Sequence, residues 1–204
     1  MPAPEKLMAV AAASWVLDLP KARVEQTIEE GSLPRTILIK KDGRIFFAAR
    51  SLPYVKFSAS TRTRFSKQYR ADVLNRMTIG KTLVLRDAVN ATSVDLKDYW
   101  REISGRVKQW AEAEKAVTSD PEILDGERCL RGTRIPVYMI ADMLAAGDSP
   151  TAIVANYPSL TLKTIEMARI YAAANPKRGR PPKPSWRKSA SVKKAIIRRS
   201  AVLG

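Results

Sequence analysis

Between Pro136 and Ala174 the chain marks its helix boundaries so closely that little other than three short helices fits. Val137, Ile140, Met143 and Leu144 recur at three- and four-residue spacing on one helical face, and Gly147 stands where a left-handed C-cap belongs. Ser149-Pro150 supplies an N-cap and a favoured first-turn residue for a second helix. That helix has to stop near Asn156, because Pro158 disfavours helix in the residue before it. Thr161 caps a third helix, in which Leu162, Ile165, Ala168, Arg169 and Ala172 repeat with helical spacing. The last two helices have the dimensions of a helix-turn-helix. Ahead of this unit runs a turn-rich lead-in. Asp120-Pro121 and Asp125-Gly126 are turn dipeptides, and Arg131-Gly132-Thr133-Arg134 sets a glycine between two guanidinium groups.

The amino-terminal half has a different grammar. Leu7 to Leu17 is an alanine-rich helical run, Asp18-Leu19-Pro20 breaks it, and Lys21 to Glu30 resumes with Val24 and Ile28 four apart. Pro20 and Gly31 bracket that second helix. Thr36 to Lys40 and Arg44 to Ala48 read as strands around Lys41-Asp42-Gly43, with Asp-Gly as the hairpin turn. A helix pair followed by a basic hairpin has the layout of a winged helix-turn-helix. Lys21, Arg23, Gln26 and Thr27 are then expected on the outward face of the second helix. Arg35, Lys40, Lys41 and Arg44 are expected to reach phosphates. The structural alternative is that any small helical domain contains such corners.

The middle is harder to read. Arg62 to Met77 predicts a helix with Phe65, Tyr69, Val73 and Met77 on one face and Arg64, Lys67, Arg70 and Arg76 on a solvated basic face. Lys81 to Leu85 and Val94 to Tyr99 suggest strands. Trp100 to Val117 predicts a helix with Ile103, Val107, Trp110 and Glu114 on its stripe and Arg101, Lys108 and Glu112 away from it. The expected class is therefore mainly α with small β elements. It comprises a winged helix-turn-helix-like unit over 1–80, a strand and helix connector over 81–117, a three-helix unit over 118–174, and a basic tail over 175–204.

Charge narrows the function. The 204 residues carry a net charge of +16, which points to a polyanionic partner. Residues 1–117 hold 21 basic and 13 acidic side chains, residues 118–174 hold 5 and 7, and residues 175–204 hold 10 and 0. The three-helix unit is thus the least basic part. With no histidine in the chain, Ser-His-Asp and Cys-His arrangements and histidine-ligated metals are excluded. Acidic clusters such as Glu29-Glu30 lack the spacing of a two-metal nuclease site, so neither enzyme activity nor a cofactor or metal is expected. The single Cys129 rules out an intramolecular disulfide, fits a reducing cytoplasm, and reads as a core thiol. Leu7 to Leu17 is too short to span a membrane. Glu5 offsets Lys6, and Asp18-Leu19-Pro20 makes a poor signal-cleavage site.

The order Asp120-Pro121-Glu122-Ile123-Leu124, Gly126, Arg131 to Val137, Ile140, Leu144, Ala146-Gly147 and Tyr157-Pro158-Ser159-Leu160-Thr161 resembles the DUF433 domain. The resemblance implies a homeodomain-like three-helix fold, with Arg131, Gly132, Thr133, Arg134 and Pro136 as its defining residues. It further implies an antitoxin role, since many such proteins are similar to antitoxins encoded beside PIN-like ribonuclease toxins. The whole layout is similar to VapB45-like antitoxins of type II toxin-antitoxin systems. The function so implied is to bind and neutralise a PIN-like toxin and to repress the chain's own operon by binding DNA. In these families Cys129 occupies a position more often aliphatic. The alternative is a stand-alone DNA-binding transcriptional regulator with an AT-hook-like tail.

The tail, Asn175 to Gly204, contains four prolines and no acidic residue, and it cannot bury enough apolar area to fold alone. Arg178-Gly179-Arg180-Pro181 is an AT-hook core that suits the minor groove. Arg178, Arg180 and Arg187 with Trp186 as an anchor equally suit the acidic cleft of a nuclease toxin, and a merely solubilising tail is the third reading. Expected partners are the cognate toxin, operator DNA and a second copy of the chain in a homodimer. No membrane partner is expected.

Overall fold

The computed structural model describes residues 7–77, 82–86 and 91–177. It is mainly helical with small antiparallel sheets. The first helix is shorter than the alanine-rich run predicts. Met8–Ala9 forms a strand, β1, and the helix α1 spans Val10–Leu17. Asp18 ends it in the left-handed region at φ 53°, and the Ser14 hydroxyl donates to the Leu19 carbonyl at 2.9 Å, which fixes the corner. Pro20 then opens α2, Lys21–Glu29.

The hairpin turn forms where the sequence places it, but the first strand starts later than Thr36, because Arg35–Ile37 forms a short 3-10 helix. β2 spans Ile39–Lys41 and β3 spans Arg44–Phe47, with Lys41 opposite Arg44. Asp42 at φ 49° and Gly43 at φ 69° are both left-handed, the pair of positive φ values that a two-residue type I′ turn needs. On its other edge β3 pairs with β1, Met8 against Phe47, so the strand order is β1-β3-β2. Met8 and Phe47 are both fully buried.

A helix that escaped sequence reading follows, α3 over Leu52–Ser60. The helix predicted over Arg62 to Met77 begins later, as α4 over Lys67–Arg76, because residues 61–65 turn and Ser66 caps by accepting from the Tyr69 amide at 3.2 Å. β4, Thr82–Arg86, pairs with β5, Ala91–Asp95. The strand predicted over Val94 to Tyr99 ends early. Asp95 accepts from the Lys97 amide at 2.8 Å, and this cap starts α5, Leu96–Lys115. At 20 residues, α5 is about 30 Å long. Ile103 and Trp110 are buried on it while Arg101, Lys108 and Glu112 are exposed, in line with the predicted stripe.

β6, Val117–Ser119, pairs with β7, Arg128–Leu130. Three helices close the described residues, α6 over Val137–Ala146, α7 over Pro150–Asn156 and α8 over Leu162–Ala174. Their caps follow local chemistry. Gly147 is left-handed at φ 105°, Ser149 accepts from the Ala152 amide, and Thr161 and Thr164 form a reciprocal capping box. Two clusters of buried apolar side chains hold the molecule together. One gathers α1 to α5 around Leu17, Phe47, Leu52 and Phe57, and the other gathers β6, β7 and α6 to α8 around Leu130, Ile140, Ile153 and Ile165. They meet along α5 and α8: Trp15 packs against both, and Ala174 at the end of α8 lies in the first cluster. This double role explains why α8 buries Ile165, Met167, Ala168, Ile170, Tyr171 and Ala174, a wider arc than its sequence stripe.

Candidate nucleic-acid interface

The cationic residues predicted on α2 and on the β2-β3 hairpin fare differently. Thr27, expected outward, is fully buried, and its hydroxyl donates to the Arg23 carbonyl at 2.8 Å. The physical reason is that α2 packs against both α1 and α3, so its buried arc takes in Val24 and Thr27, three positions on, while Ile28, four on, is only partly buried. Gln26 is exposed, but its side-chain oxygen accepts from Arg62 at 2.7 Å. Lys21 is exposed and pairs with Glu25 at 2.8 Å; Arg23 is half-buried.

Beneath this face lies a charged knot. Arg62 and Arg70 both bind the Glu30 carboxylate, Arg70 at 2.8 Å. Arg70 also donates to the Ser58 carbonyl at 2.8 Å, and the Ser58 hydroxyl shares a 2.7 Å hydrogen bond with Ser32. Arg70, placed by the sequence on a solvated face, is instead 2% exposed. Its companions divide: Arg64 and Lys67 are exposed, while Arg76 pairs with Asp72 at 3.0 Å.

The hairpin keeps its cations free. Arg35, Lys40, Lys41 and Arg44 are all exposed, and none forms an ion pair among the described residues. Lys41 and Arg44 are directly opposed, so they share a face, with Ile39 and Phe46 next along it. Lys40, opposite Ile45, projects from the other face. Like charges directly across a ladder repel, a cost that an anion between them would remove. Arg35 sits apart, in a turn bordering a cavity of about 270 Å³ that Tyr54, Leu74 and Met77 also line. The structure thus brings together Lys41 and Arg44, with Lys40 beside them on the reverse face.

In the three-helix unit the Arg131-Gly132-Thr133-Arg134 run is a clasp. Arg131 donates through its backbone to the Ala116 carbonyl at 2.8 Å and through Nε to the Lys115 carbonyl at 2.7 Å, placing positive charge at the end of α5. Gly132 takes φ 77°, and Thr133 bonds the Leu130 carbonyl and the Ile135 amide. Pro136 bridges to Cys129 and opens α6, while Arg134 is exposed. Cys129 is 1% exposed, and burial, with Glu127 nearby, raises the pKa of its thiol, as suits the core thiol expected of it. Burial likewise pushes Tyr171 up to about 12, Arg128 working against the shift and Glu114 with it. On α8, Arg169 grips Glu166 through two hydrogen bonds, which holds that carboxyl below its usual range. The tail residues Arg178, Gly179, Arg180, Pro181, Trp186 and Arg187 lie outside the described residues. No helix among the described residues is long and apolar enough to cross a membrane.

Residues 117–172 match the family described as "Protein of unknown function (DUF433)". The whole chain is similar to the "Uncharacterized protein y4eO" of Sinorhizobium fredii (strain NBRC 101917 / NGR234), with 32% identity over 192 residues, covering 88% of this chain and 86% of the relative. No solved structure matches. A likeness of that extent places the chain in the same family as y4eO, with the DUF433 domain as its carboxyl-terminal helical unit.

Proposed function

We propose that the chain is a non-enzymatic antitoxin and autorepressor, which binds operator DNA through a winged helix-turn-helix-like amino-terminal half and neutralises a PIN-like ribonuclease. The observation that carries the DNA half is the opposed, unpaired cation pair Lys41 and Arg44 at the tip of the hairpin. Phosphates placed there relieve the cross-strand repulsion and release counterions. Lys40 adds a third cation, and Arg64 and Lys67 extend the exposed positive surface. Because the α2 face is tied down by Arg62, Glu30 and Arg70, DNA contact is led by the hairpin, with Lys21 and Arg23 secondary.

The toxin half of the reading rests on the antitoxin role that the sequence resemblance implies and on the basic tail, whose arginines match a carboxylate-rich nuclease cleft. On this reading the homeodomain-like unit organises subunit or toxin contacts in a VapB45-like cytoplasmic protein. Two of its cations are committed within the fold, Arg131 to the end of α5 and Arg169 to Glu166. The test has two arms. Binding to DNA from immediately upstream of the chain's own gene is measured as a function of salt, for the wild type and for Lys41→Gln/Arg44→Gln. Co-expression with the product of the adjacent gene is scored by co-purification and growth rescue. Specific DNA binding without association or rescue leaves the stand-alone regulator.

A further inference from the structure

The outer side of α6 carries an open groove of about 440 Å³ with an apolar floor of Pro136, Met139, Met143 and Ala146. Its rim carries Glu127, Asp142 and Asp148, all exposed, in an otherwise basic chain. Lys177 already occupies one end. Its ammonium group bonds Asp142 at 2.7 Å and sits 5.3 Å from the centre of the Tyr138 ring. The chain is steered there by Asn175, whose carbonyl accepts from the Tyr138 hydroxyl at 2.6 Å and whose side chain donates to Glu114 at 2.8 Å.

We infer that this groove is the docking site for the chain's own basic segment, Arg178 to Arg187. Three arguments converge on that occupant. The segment begins one residue beyond Lys177, so closing the loop costs little entropy. It offers Arg178, Arg180, Lys183 and Arg187 to three carboxylates, of which Lys177 satisfies one. It also supplies Pro181, Pro182, Pro184 and Trp186, flat apolar groups suited to a methionine-lined floor that adapts to shape. A docked tail is withheld from any other anionic partner, so whatever recruits the tail has to displace it from α6. The inference goes beyond the proposed function and requires neither DNA nor toxin.

The test uses the full chain in two measurements. Zero-length carbodiimide cross-linking of a mixture of isotope-labelled and unlabelled chains is mapped by mass spectrometry. The expected links join Lys183 or Lys188 to Glu127, Asp142 or Asp148 within one chain. Limited trypsin digestion of Glu127→Gln/Asp142→Asn/Asp148→Asn is expected to cut after Arg178 and Arg187 about fivefold faster than in the wild type, the scale for losing several exposed ion pairs. Cleavage after Arg64 and Lys67, exposed residues of the amino-terminal half that do not line the groove, is expected to be unchanged. Links that form only between chains or scatter over carboxylates elsewhere overturn the inference. So do tail cleavage rates that match the wild type or rise only in step with those at Arg64 and Lys67.

Discussion

The α2 face and the β2-β3 hairpin look alike as sequence, each a short basic stretch next to a turn, yet they hold their charge in opposite ways. On α2, Lys21 is paired with Glu25, Gln26 is held by Arg62, and Thr27 is inside. On the hairpin Lys40, Lys41 and Arg44 have no anionic partner among the described residues. The difference arises from packing. A helix wedged between two others has acidic and basic neighbours within reach on several sides, whereas an edge strand and its turn project from the fold. Formal charge in a sequence is therefore a poor measure of charge available to a ligand, and counting the committed cations comes first.

The largest expected effect lies under α2. Replacing Glu30 by alanine leaves the nearly inaccessible Arg70 guanidinium without its carboxylate, while Ser58 satisfies only part of it. Unpairing a buried charge costs about 3 kcal/mol, to be read from the shift in urea midpoint. Arg62 loses its ion pair in the same variant and keeps only Gln26, so the 61–65 turn is loosened as well. A loss below about 1 kcal/mol would mean that the knot is solvated and that α2 is as open as the hairpin.

Next in size is the hairpin. Lys41→Gln/Arg44→Gln is expected to weaken operator binding roughly tenfold and to reduce the slope of log K against log salt by about 2, one counterion-releasing contact for each residue. Stability should hold or rise by a few tenths of a kcal/mol, since cross-strand repulsion is removed. An unchanged salt slope would break the comparison at its centre, because the free cations would then not be the ones that meet phosphate.

What the sequence made legible was local. The caps of α6, α7 and α8 and the Asp42-Gly43 turn are chemistry confined to a few neighbouring residues, and all stand where the sequence places them. What stayed hidden depended on distant partners. β1 exists because Met8 pairs with Phe47, and Arg70 is buried because Glu30 and Ser58 come to it from 40 and 12 residues away. α3 buries Leu52, Tyr54, Val55, Phe57 and Ala59, covering most of its circumference, so it carries no periodic stripe to read. In the candidate site the hairpin was legible for the same local reason, whereas the outward face of α2 was not, because the turn that covers it lies more than thirty residues downstream.

A smaller effect is expected at Thr27. Thr27→Val keeps the shape and removes one hydrogen bond to the Arg23 carbonyl, so stability should fall by about 1 kcal/mol and operator affinity should not move. A tenfold loss of affinity without a larger stability loss would restore α2 as a reading helix.

The smallest effect separates pairing from exposure. Lys21 is exposed, like the hairpin lysines, but its ammonium lies 2.8 Å from Glu25, one helical turn away. Lys21→Gln should cost no more than about 0.5 kcal/mol of stability. Operator affinity should change by less than about threefold, because neutralising Lys21 also leaves Glu25 uncompensated close to the helix, so any loss is a weak repulsion rather than a vanished phosphate contact. The double variant Lys21→Gln/Glu25→Gln decides between these causes. If pairing is what silences Lys21, the second substitution returns affinity to the wild-type value or above it. If Lys21 touches phosphate directly, the double variant binds as weakly as the single one, and the salt slope falls by about 1 in both.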